Sequence, residues 1–228
     1  GATDLLTKPL ERDEFLAKVG ELTGRSVGPA RPRVLAVGAL PGDVEMGCAG
    51  ALLRHKNDGA DVTIVVLHRD EADAAGVGLV GAQQAAESLG AKLLVDEDAL
   101  ADTRRRVAFM QQVVKDLHPQ VVYLPAMDDD HPARRETFRI VRAAAAGVAS
   151  LLAYQTATTG HEFRPSRFED VGEVLVDKME ALTCFSDAGL QRLDLSPRMA
   201  QAYARYWGRL QQFAEVEAFE LVRGPDQA

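Results

Sequence analysis

The chain has 228 residues with 26 basic and 34 acidic side chains, and its net charge of −8 argues against a general nucleic-acid-binding surface. No apolar run reaches the roughly 18 residues that a membrane span needs, and the first ten residues do not resemble a secretory leader. The two cysteines, Cys48 and Cys184, provide no disulfide framework and fit a reducing compartment. We therefore expect a cytoplasmic protein with neither nucleic acid nor a membrane as its partner.

The first 32 residues differ in pattern from the rest of the chain. Residues 4–7 predict a short extended piece, and an amphipathic helix is predicted over about 11–23. Residues 26–32, rich in Gly, Pro and Arg, predict a linker. One strand and one helix cannot bury a core of their own. We therefore predict that residues 1–25 are a fragment of another domain and that residues 33–224 form the main domain.

From residue 33 onward, apolar runs alternate with amphipathic stretches. Continuous apolar runs predict buried parallel strands, and apolar residues three and four apart predict helices. The predicted strands cover 34–38, 62–67, 92–95, 121–124 and 218–222. The predicted helices cover about 45–58, 79–89, 102–117, 134–148, 174–185 and 197–213. This alternation predicts a Rossmann-like, doubly wound, mostly parallel sheet in a three-layer α/β/α fold.

Three polar segments follow predicted strands, where open α/β sheets bind ligands. They cover residues 39–50, 68–71 and 128–134. Any one of them alone is more simply explained as a solvated acidic loop or a helix cap. The arginines at 104–106 follow the acidic residues 96–98 and predict a solvated, locally paired helix face rather than a nucleic-acid patch.

Taken together, the three segments resemble the PIG-L/LmbE-like family of zinc-dependent N-acetyl-sugar deacetylases, over about residues 33–221. The family's first motif, A-H-P-D-D-x-E-x-G-C-G-G, stands here as A-L-P-G-D-V-E-M-G-C-A-G at 39–50. Its later motif, D-x-H-P-D-H, stands as D-D-H-P-A-R at 129–134. The resemblance implies the fold predicted above, a zinc ion held by two His and one Asp, and an Asp as general base.

The residues that differ from these motifs stand at the positions that the resemblance assigns to zinc binding and proton transfer. The resemblance places the zinc ligands at Leu40, Asp43 and Arg134 and the general base at Gly42. Leucine and arginine offer a metal no lone pair, and glycine cannot accept a proton. A catalytic zinc normally keeps three protein ligands. We therefore predict that zinc and deacetylation are lost and that Arg134 pairs with Asp43, which removes the charge repulsion left in the site.

Glu45, His68, Asp130 and His131 complete the predicted degenerate pocket. The resemblance gives His131 a role in polarising the reaction centre. An alternative to zinc loss remains open, because His68 follows the second strand. Together with Asp43 and His131 it provides the residue types of a substitute zinc site.

The sequence GATDLLTKPL at residues 1–10 resembles the end of a two-component receiver domain, which closes with G-A-x-D-x-L-x-K-P and an amphipathic helix. The resemblance makes Lys8 the lysine that contacts the phosphorylated Asp, with Pro9 after it. We predict a catalytically degenerate domain, without a cofactor, that is the output or interaction module of a response regulator and binds a protein partner. The alternatives are a deacetylase with a rearranged metal site and a sensor that binds a sugar or nucleotide.

Overall fold

The computed structural model describes residues 31–68, 73, 75–96, 98 and 102–224. Backbone contacts divide the chain between Pro32 and Arg33. The predictions for residues 1–25, including receiver-like Lys8 and Pro9, lie outside the described residues.

Within the described part, strands and helices alternate along the chain. The strands are β1 (Arg33–Gly38), β2 (Asp61–Val66), β3 (Lys92–Val95), β4 (Val121–Pro125), β5 (Ser150–Tyr154), β6 (Arg167–Asp170) and β7 (Val216–Arg223). The helices are α1 (Asp43–Asn57), α2 (Val77–Ser88), α3 (Thr103–Leu117), α4 (Pro132–Ala144), α5 (Leu175–Asp187) and α6 (Pro197–Gly208). A short 3₁₀ turn, Leu193–Leu195, precedes α6. No helix in these ranges is long and apolar enough to cross a membrane.

The strands form one sheet in the order β3-β2-β1-β4-β5-β7-β6. The first five are parallel, and β7 runs antiparallel to both β5 and β6. Along β1, Val34 and Ala36 pack with α1, α2, α5 and α6, whereas Leu35 and Val37 pack with α3 and α4. Helices thus cover both faces of the sheet, which explains why its central strands are apolar throughout. The predicted doubly wound, mostly parallel α/β/α fold is confirmed.

Three features of the second half differ from the sequence prediction. Neither β5 nor β6 was predicted. β6 (Arg167–Asp170) is a polar strand at the edge of the sheet and has no apolar run. The last helix ends at Gly208 rather than at residue 213. The chain turns back so closely there that a Cβ on Gly208 would lie 2.5 Å from the Ala214 carbonyl oxygen.

A buried ion pair ties α1 to the last strand. Glu217 on β7 accepts hydrogen bonds from the backbone N–H groups of Gly50 and Ala51, both 2.8 Å long, in the middle of α1. Lys178 Nζ donates to Glu217 Oε1 and to the Met46 carbonyl oxygen, both at 2.6 Å. Glycine is needed at position 50, because a Cβ there would lie 2.9 Å from Glu217 Oε1. These contacts fix α1, whose first turn carries the candidate site.

Candidate functional site

The turn after β1 aims the Asp43 carboxylate at the carboxyl end of the sheet. Gly42 is the N-cap of α1 and has a φ of 94°, a left-handed conformation that favours glycine. Asp43 follows it in the first turn of the helix, and its Oδ2 accepts a 3.0 Å hydrogen bond from the Leu40 backbone N–H. The Leu40 side chain is buried.

The remaining carboxylate oxygen of Asp43 binds Arg134, so the predicted ion pair is present. Arg134 Nε and Nη2 donate to Asp43 Oδ1 at 3.1 and 2.6 Å. The two side chains are only 3% and 1% exposed. Arg134 Nη1 donates to Thr158 Oγ1 at 2.6 Å and lies 4.0 Å from Asp129 Oδ1. Burial opposes the charge on Arg134, but Asp43 and Asp129 outweigh it and raise the pKa of the guanidinium.

Asp129 is a second buried acid next to Arg134, and it was not among the predicted site residues. It is buried, and its Oδ1 accepts from Thr158 Oγ1 at 2.6 Å and from the His131 backbone N–H at 2.8 Å. Its Oδ2 accepts from Thr156 Oγ1. Asp130, which was predicted to line the pocket, is exposed instead. The motif spacing was the signal for Asp129, since its acid stands two residues before the histidine.

The Leu195 side chain fills the space beside Gly42. The resemblance assigns the general base to this position. A Cβ placed on Gly42 would lie 2.6 Å from both methyl carbons of Leu195, which is buried in the 3₁₀ turn before α6. The segment that carries Leu195 is also bonded to the first motif, because Arg192 Nη1 donates to the Pro41 carbonyl oxygen at 3.4 Å. A longer side chain at position 42 would therefore collide with Leu195.

Glu45, the next acid of the first motif, is buried at 1% exposure. Its Oε1 has no hydrogen-bond partner among the described residues. Burial raises the pKa of Glu45 to about 7, backbone hydrogen bonds oppose the shift, and the charge of Asp43 adds to it. The carboxyl group therefore titrates near neutral pH in the folded protein, well above the range of an exposed glutamate.

The two histidines of the predicted pocket have separate surroundings. His131 is the N-cap of α4, and its Nδ1 accepts a 3.3 Å hydrogen bond from the Ala133 backbone N–H. His68 Nε2 lies 4.0 Å from Glu136 Oε2 and has no hydrogen-bond partner among the residues that the structure describes. Burial, followed by the charge of Arg106, lowers the pKa of His68, so its ring is neutral at pH 7.

These residues do not fit a zinc ion of the family's kind. Leu40 offers no ligand atom, and Arg134 brings a positive charge onto Asp43, the only one of the three ligand positions implied by the resemblance that holds a metal-binding side chain. The substitute set of Asp43, His68 and His131 is not assembled either. In the described ranges, no group of three or more His, Cys, Asp or Glu side chains is arranged to hold a metal ion.

No family model matches the sequence. An uncharacterised deacetylase, YaiS of Escherichia coli strain K12, is 26% identical over 156 residues, which cover 63% of this chain and 84% of that protein. The N,N'-diacetylchitobiose deacetylase of Pyrococcus horikoshii is similar in structure, with a TM-score of 0.69 at 16% identity, over 98% of this chain and 96% of that one. GalB, the 4-carboxy-2-hydroxymuconate hydratase of Pseudomonas putida KT2440, is also similar in structure, with a TM-score of 0.70 at 20% identity. The match covers 84% of this chain and 96% of that one.

These similarities establish that the fold is the one found in LmbE/PIG-L-type deacetylases. The same architecture serves a deacetylase and a hydratase, so the fold alone does not identify a reaction.

Proposed function

We propose that residues 33–224 form a non-hydrolytic PIG-L/LmbE-like domain that acts as the output or interaction module of a signalling protein. The observation that carries this proposal is the buried pair of Asp43 and Arg134, in which a guanidinium neutralises the acid that a zinc ion would otherwise bind.

Zinc binding would require this pair to be broken. The Arg134 guanidinium would lose its two hydrogen bonds to Asp43 while remaining enclosed. Hydrogen bonds of charged groups contribute about 1.5–3 kcal/mol each, and a buried charge without a partner costs several kcal/mol. A zinc ion bound only by Asp43 cannot offset that loss. A complete protein site binds zinc with a free energy of roughly 10–16 kcal/mol, and each missing ligand removes part of it.

The position of the general base supports the same proposal. Glycine accepts no proton, and Leu195 excludes a carboxylate from the space beside Gly42. Removing a general base lowers rates by about 10²–10⁴-fold even where a metal is retained. The changes at positions 40, 42 and 134 thus remove metal binding and proton transfer together.

The signalling role rests on the receiver-like residues Lys8 and Pro9 in the sequence. A receiver fragment joined by a linker to a domain without hydrolytic chemistry favours an output function through a protein partner. We propose a cytoplasmic location, and neither nucleic acid nor a membrane as partner, in keeping with the net charge of −8.

The decisive experiment measures metal and activity on the same preparation. The purified chain is incubated with excess zinc, desalted, and analysed for zinc content and for acetate released from N,N'-diacetylchitobiose, with the Pyrococcus horikoshii enzyme as positive control. We expect far less than one zinc per chain and no acetate above background. About one tightly held zinc per chain together with acetate release would contradict the proposal.

A zinc-dependent N-acetyl-sugar deacetylase with a rearranged site is the second candidate, because the relative from Escherichia coli is named a deacetylase. That enzyme would use Asp43, His68 and His131, so His68→Ala should remove both metal and activity. A sugar- or nucleotide-binding sensor is the third candidate. A thermal-shift screen with amino sugars and nucleotides distinguishes it from a module that binds only protein.

A further inference from the structure

Helix α6 (Pro197–Gly208) buries its small residues and exposes its large apolar ones. The face that packs on the domain consists of Ala200, Ala204 and Gly208, which lie four residues apart and are buried. Amphipathic helices on the surface of a globular protein usually do the opposite, and turn their large apolar side chains to the core. The contact of α6 with the domain therefore leaves a second, apolar face in solvent.

This second face is a line of exposed apolar side chains, which we call the α6 apolar face. Its members are three or four residues apart: Met199, Ala202, Tyr206 and Leu210. Met199, Tyr206 and Leu210 are 37%, 50% and 49% exposed. The line extends past the end of the helix, because the Leu210 N–H still donates to the Trp207 carbonyl oxygen at 3.0 Å. Exposed apolar patches with a polar rim mark sites where another molecule binds.

Three exposed arginines follow one edge of the α6 apolar face, spaced by seven and four residues: Arg198, Arg205 and Arg209. The Arg209 guanidinium carbon lies 4.3 Å from the centroid of the Tyr206 ring, which connects the basic edge to the apolar face. Residues 197–213 contain no Asp or Glu, and Glu215 accepts from Arg205 Nε at 3.1 Å. In a chain with a net charge of −8, this edge is a local concentration of positive charge.

A second copy of the chain does not complement this surface. If two copies meet by their α6 apolar faces, each brings arginines and neither brings a carboxylate within residues 197–213, so like charges approach each other. If the α6 apolar face of one copy meets an acidic region elsewhere on another, the contact is heterologous and builds rings or open chains instead of a closed pair. The charge pattern therefore favours a different molecule, and an acidic one.

An anionic membrane fits the α6 apolar face less well than an acidic protein does. Binding to anionic lipids commonly uses clusters of roughly 4–8 Lys or Arg. The edge beside this face has three arginines, and Glu215 is already bonded to Arg205. The net charge of −8 also opposes the approach of the chain to a negative surface. A protein segment with its own carboxylates meets neither obstacle, since it can match a few arginines locally.

We propose that the α6 apolar face binds an acidic amphipathic helix of a partner protein. Apolar side chains of that helix, three and four residues apart, pack on Met199, Tyr206 and Leu210. Its carboxylates pair with Arg198 and Arg209. The contact is about three turns long, because a helix rises roughly 16 Å from position 199 to position 210. This inference builds on the proposed role as an interaction module, but its test measures neither zinc nor acetate, so the two proposals can fail separately.

Two synthetic helical peptides test the proposal by fluorescence anisotropy with the purified chain. Each is about three heptads long with leucine at positions a and d, and the acidic peptide has glutamate at e and g where the basic peptide has lysine. We expect the acidic peptide to bind saturably and at least about tenfold more tightly than the basic one. Equal binding of the two, tighter binding of the basic peptide, or no binding of the acidic peptide would overturn the proposal.

Variants connect this binding to the α6 apolar face. The double variant Met199→Ser, Leu210→Ser should weaken the acidic peptide by at least about tenfold. Its control is Val80→Ser, which changes a side chain that is 51% exposed on α2 and should leave binding unchanged. Arg209→Glu should reduce the preference for the acidic peptide by about threefold or more, whereas Arg139→Glu, at an exposed position of α4, should not. Full binding by the double variant, or an unchanged preference in Arg209→Glu, would refute the assignment.

Two further measurements check the other occupants of this face. Light scattering of the wild type and of the double variant should give the same oligomeric state, and sedimentation with vesicles of phosphatidylcholine and phosphatidylserine should show no binding of either. A wild-type dimer that the double variant separates would overturn the proposal, because a second copy would then cover the face. Vesicle binding that the double variant abolishes would overturn it in favour of a membrane.

Discussion

Replacing Arg134 by methionine should destabilise the domain by about 3–5 kcal/mol. Methionine keeps most of the side-chain length and apolar contact but removes the charge. Asp43 then stays 1% exposed with the Leu40 backbone N–H as its remaining donor, and Thr158 loses the bond to Arg134 Nη1. The perturbation therefore leaves a buried carboxylate without a counter-charge, and it creates little new cavity.

The magnitude follows from the contacts that are lost. Three charged hydrogen bonds at about 1.5–3 kcal/mol each give an upper bound of roughly 9 kcal/mol, which overstates the cost because hydrogen bonds in one network are not additive. Breaking a buried ion pair by removing one partner costs about 3–5 kcal/mol in other proteins. The double variant Asp43→Asn, Arg134→Met should recover part of that loss, since no uncompensated charge remains.

Urea unfolding at pH 7, followed by circular dichroism, gives the free energies of unfolding. Arg139→Met is the matched control, because Arg139 lies exposed on the same helix, and its effect should stay within about 0.5 kcal/mol. A loss below about 1 kcal/mol for Arg134→Met would refute the view that this pair neutralises the site. So would a double variant that is no more stable than the single one.

Three further changes test other parts of the site. Gly42→Ala should lower the free energy of unfolding, measured with urea, by at least about 1 kcal/mol more than Gly59→Ala does. Both glycines have a positive φ, but only at position 42 would the new Cβ meet another side chain. The pKa of Glu45 is about 7 in the folded protein against 4.5 normally, so the folded state holds a proton that the unfolded state has released. Stability should fall by about 2–3 kcal/mol from pH 5 to pH 8, and Glu45→Gln should remove this fall. The double variant Leu40→His, Arg134→His should retain about one zinc per chain in metal analysis but release no acetate, since Gly42 provides no base.

Each of these three predictions has an outcome that would contradict it. Equal costs at the two glycines would mean that Leu195 does not limit position 42. Parallel pH profiles for the wild type and the glutamine variant would mean that Glu45 ionises normally in the folded protein. A histidine double variant without zinc would mean that the surrounding structure, and not only the two lost ligands, excludes the metal. Acetate release by that variant would show that another group replaces the base.

Structural features that depend on local sequence pattern or on charge could be predicted from the sequence. Val34–Gly38 is recognisable as a strand because a parallel strand covered by helices on both faces is continuously apolar. The Asp43–Arg134 pair was predictable from the two motifs, since an arginine at a ligand position needs a negative partner. β6 was not predictable, because its four residues alternate between exposed and half-buried without an apolar run.

Contacts between distant segments could not be predicted where no motif pointed to them. No periodicity relates Gly42 to Leu195, although the two side-chain positions compete for the same space. Arg106 looked solvated beside its acidic neighbours in sequence, and only the packing of α3 on the sheet encloses it. A side chain in the first turn of a helix faces the sheet or the solvent according to how the helix docks, which composition does not encode.

The link between α1 and Glu217 has a consequence for how the chain is made. Two backbone N–H groups of α1 are bonded to a side chain that is synthesised 166 and 167 residues later. At about 5–20 residues per second, a ribosome needs roughly 10–30 s to reach Glu217 after it has added Gly50. Through that interval α1 lacks these two bonds, and Lys178, once it has been added, still lacks the carboxylate of Glu217. The nascent domain therefore completes the hydrogen bonding of its first helix only after its last strand has been synthesised, and a chain cut short before β7 lacks the bonds from that helix to Glu217.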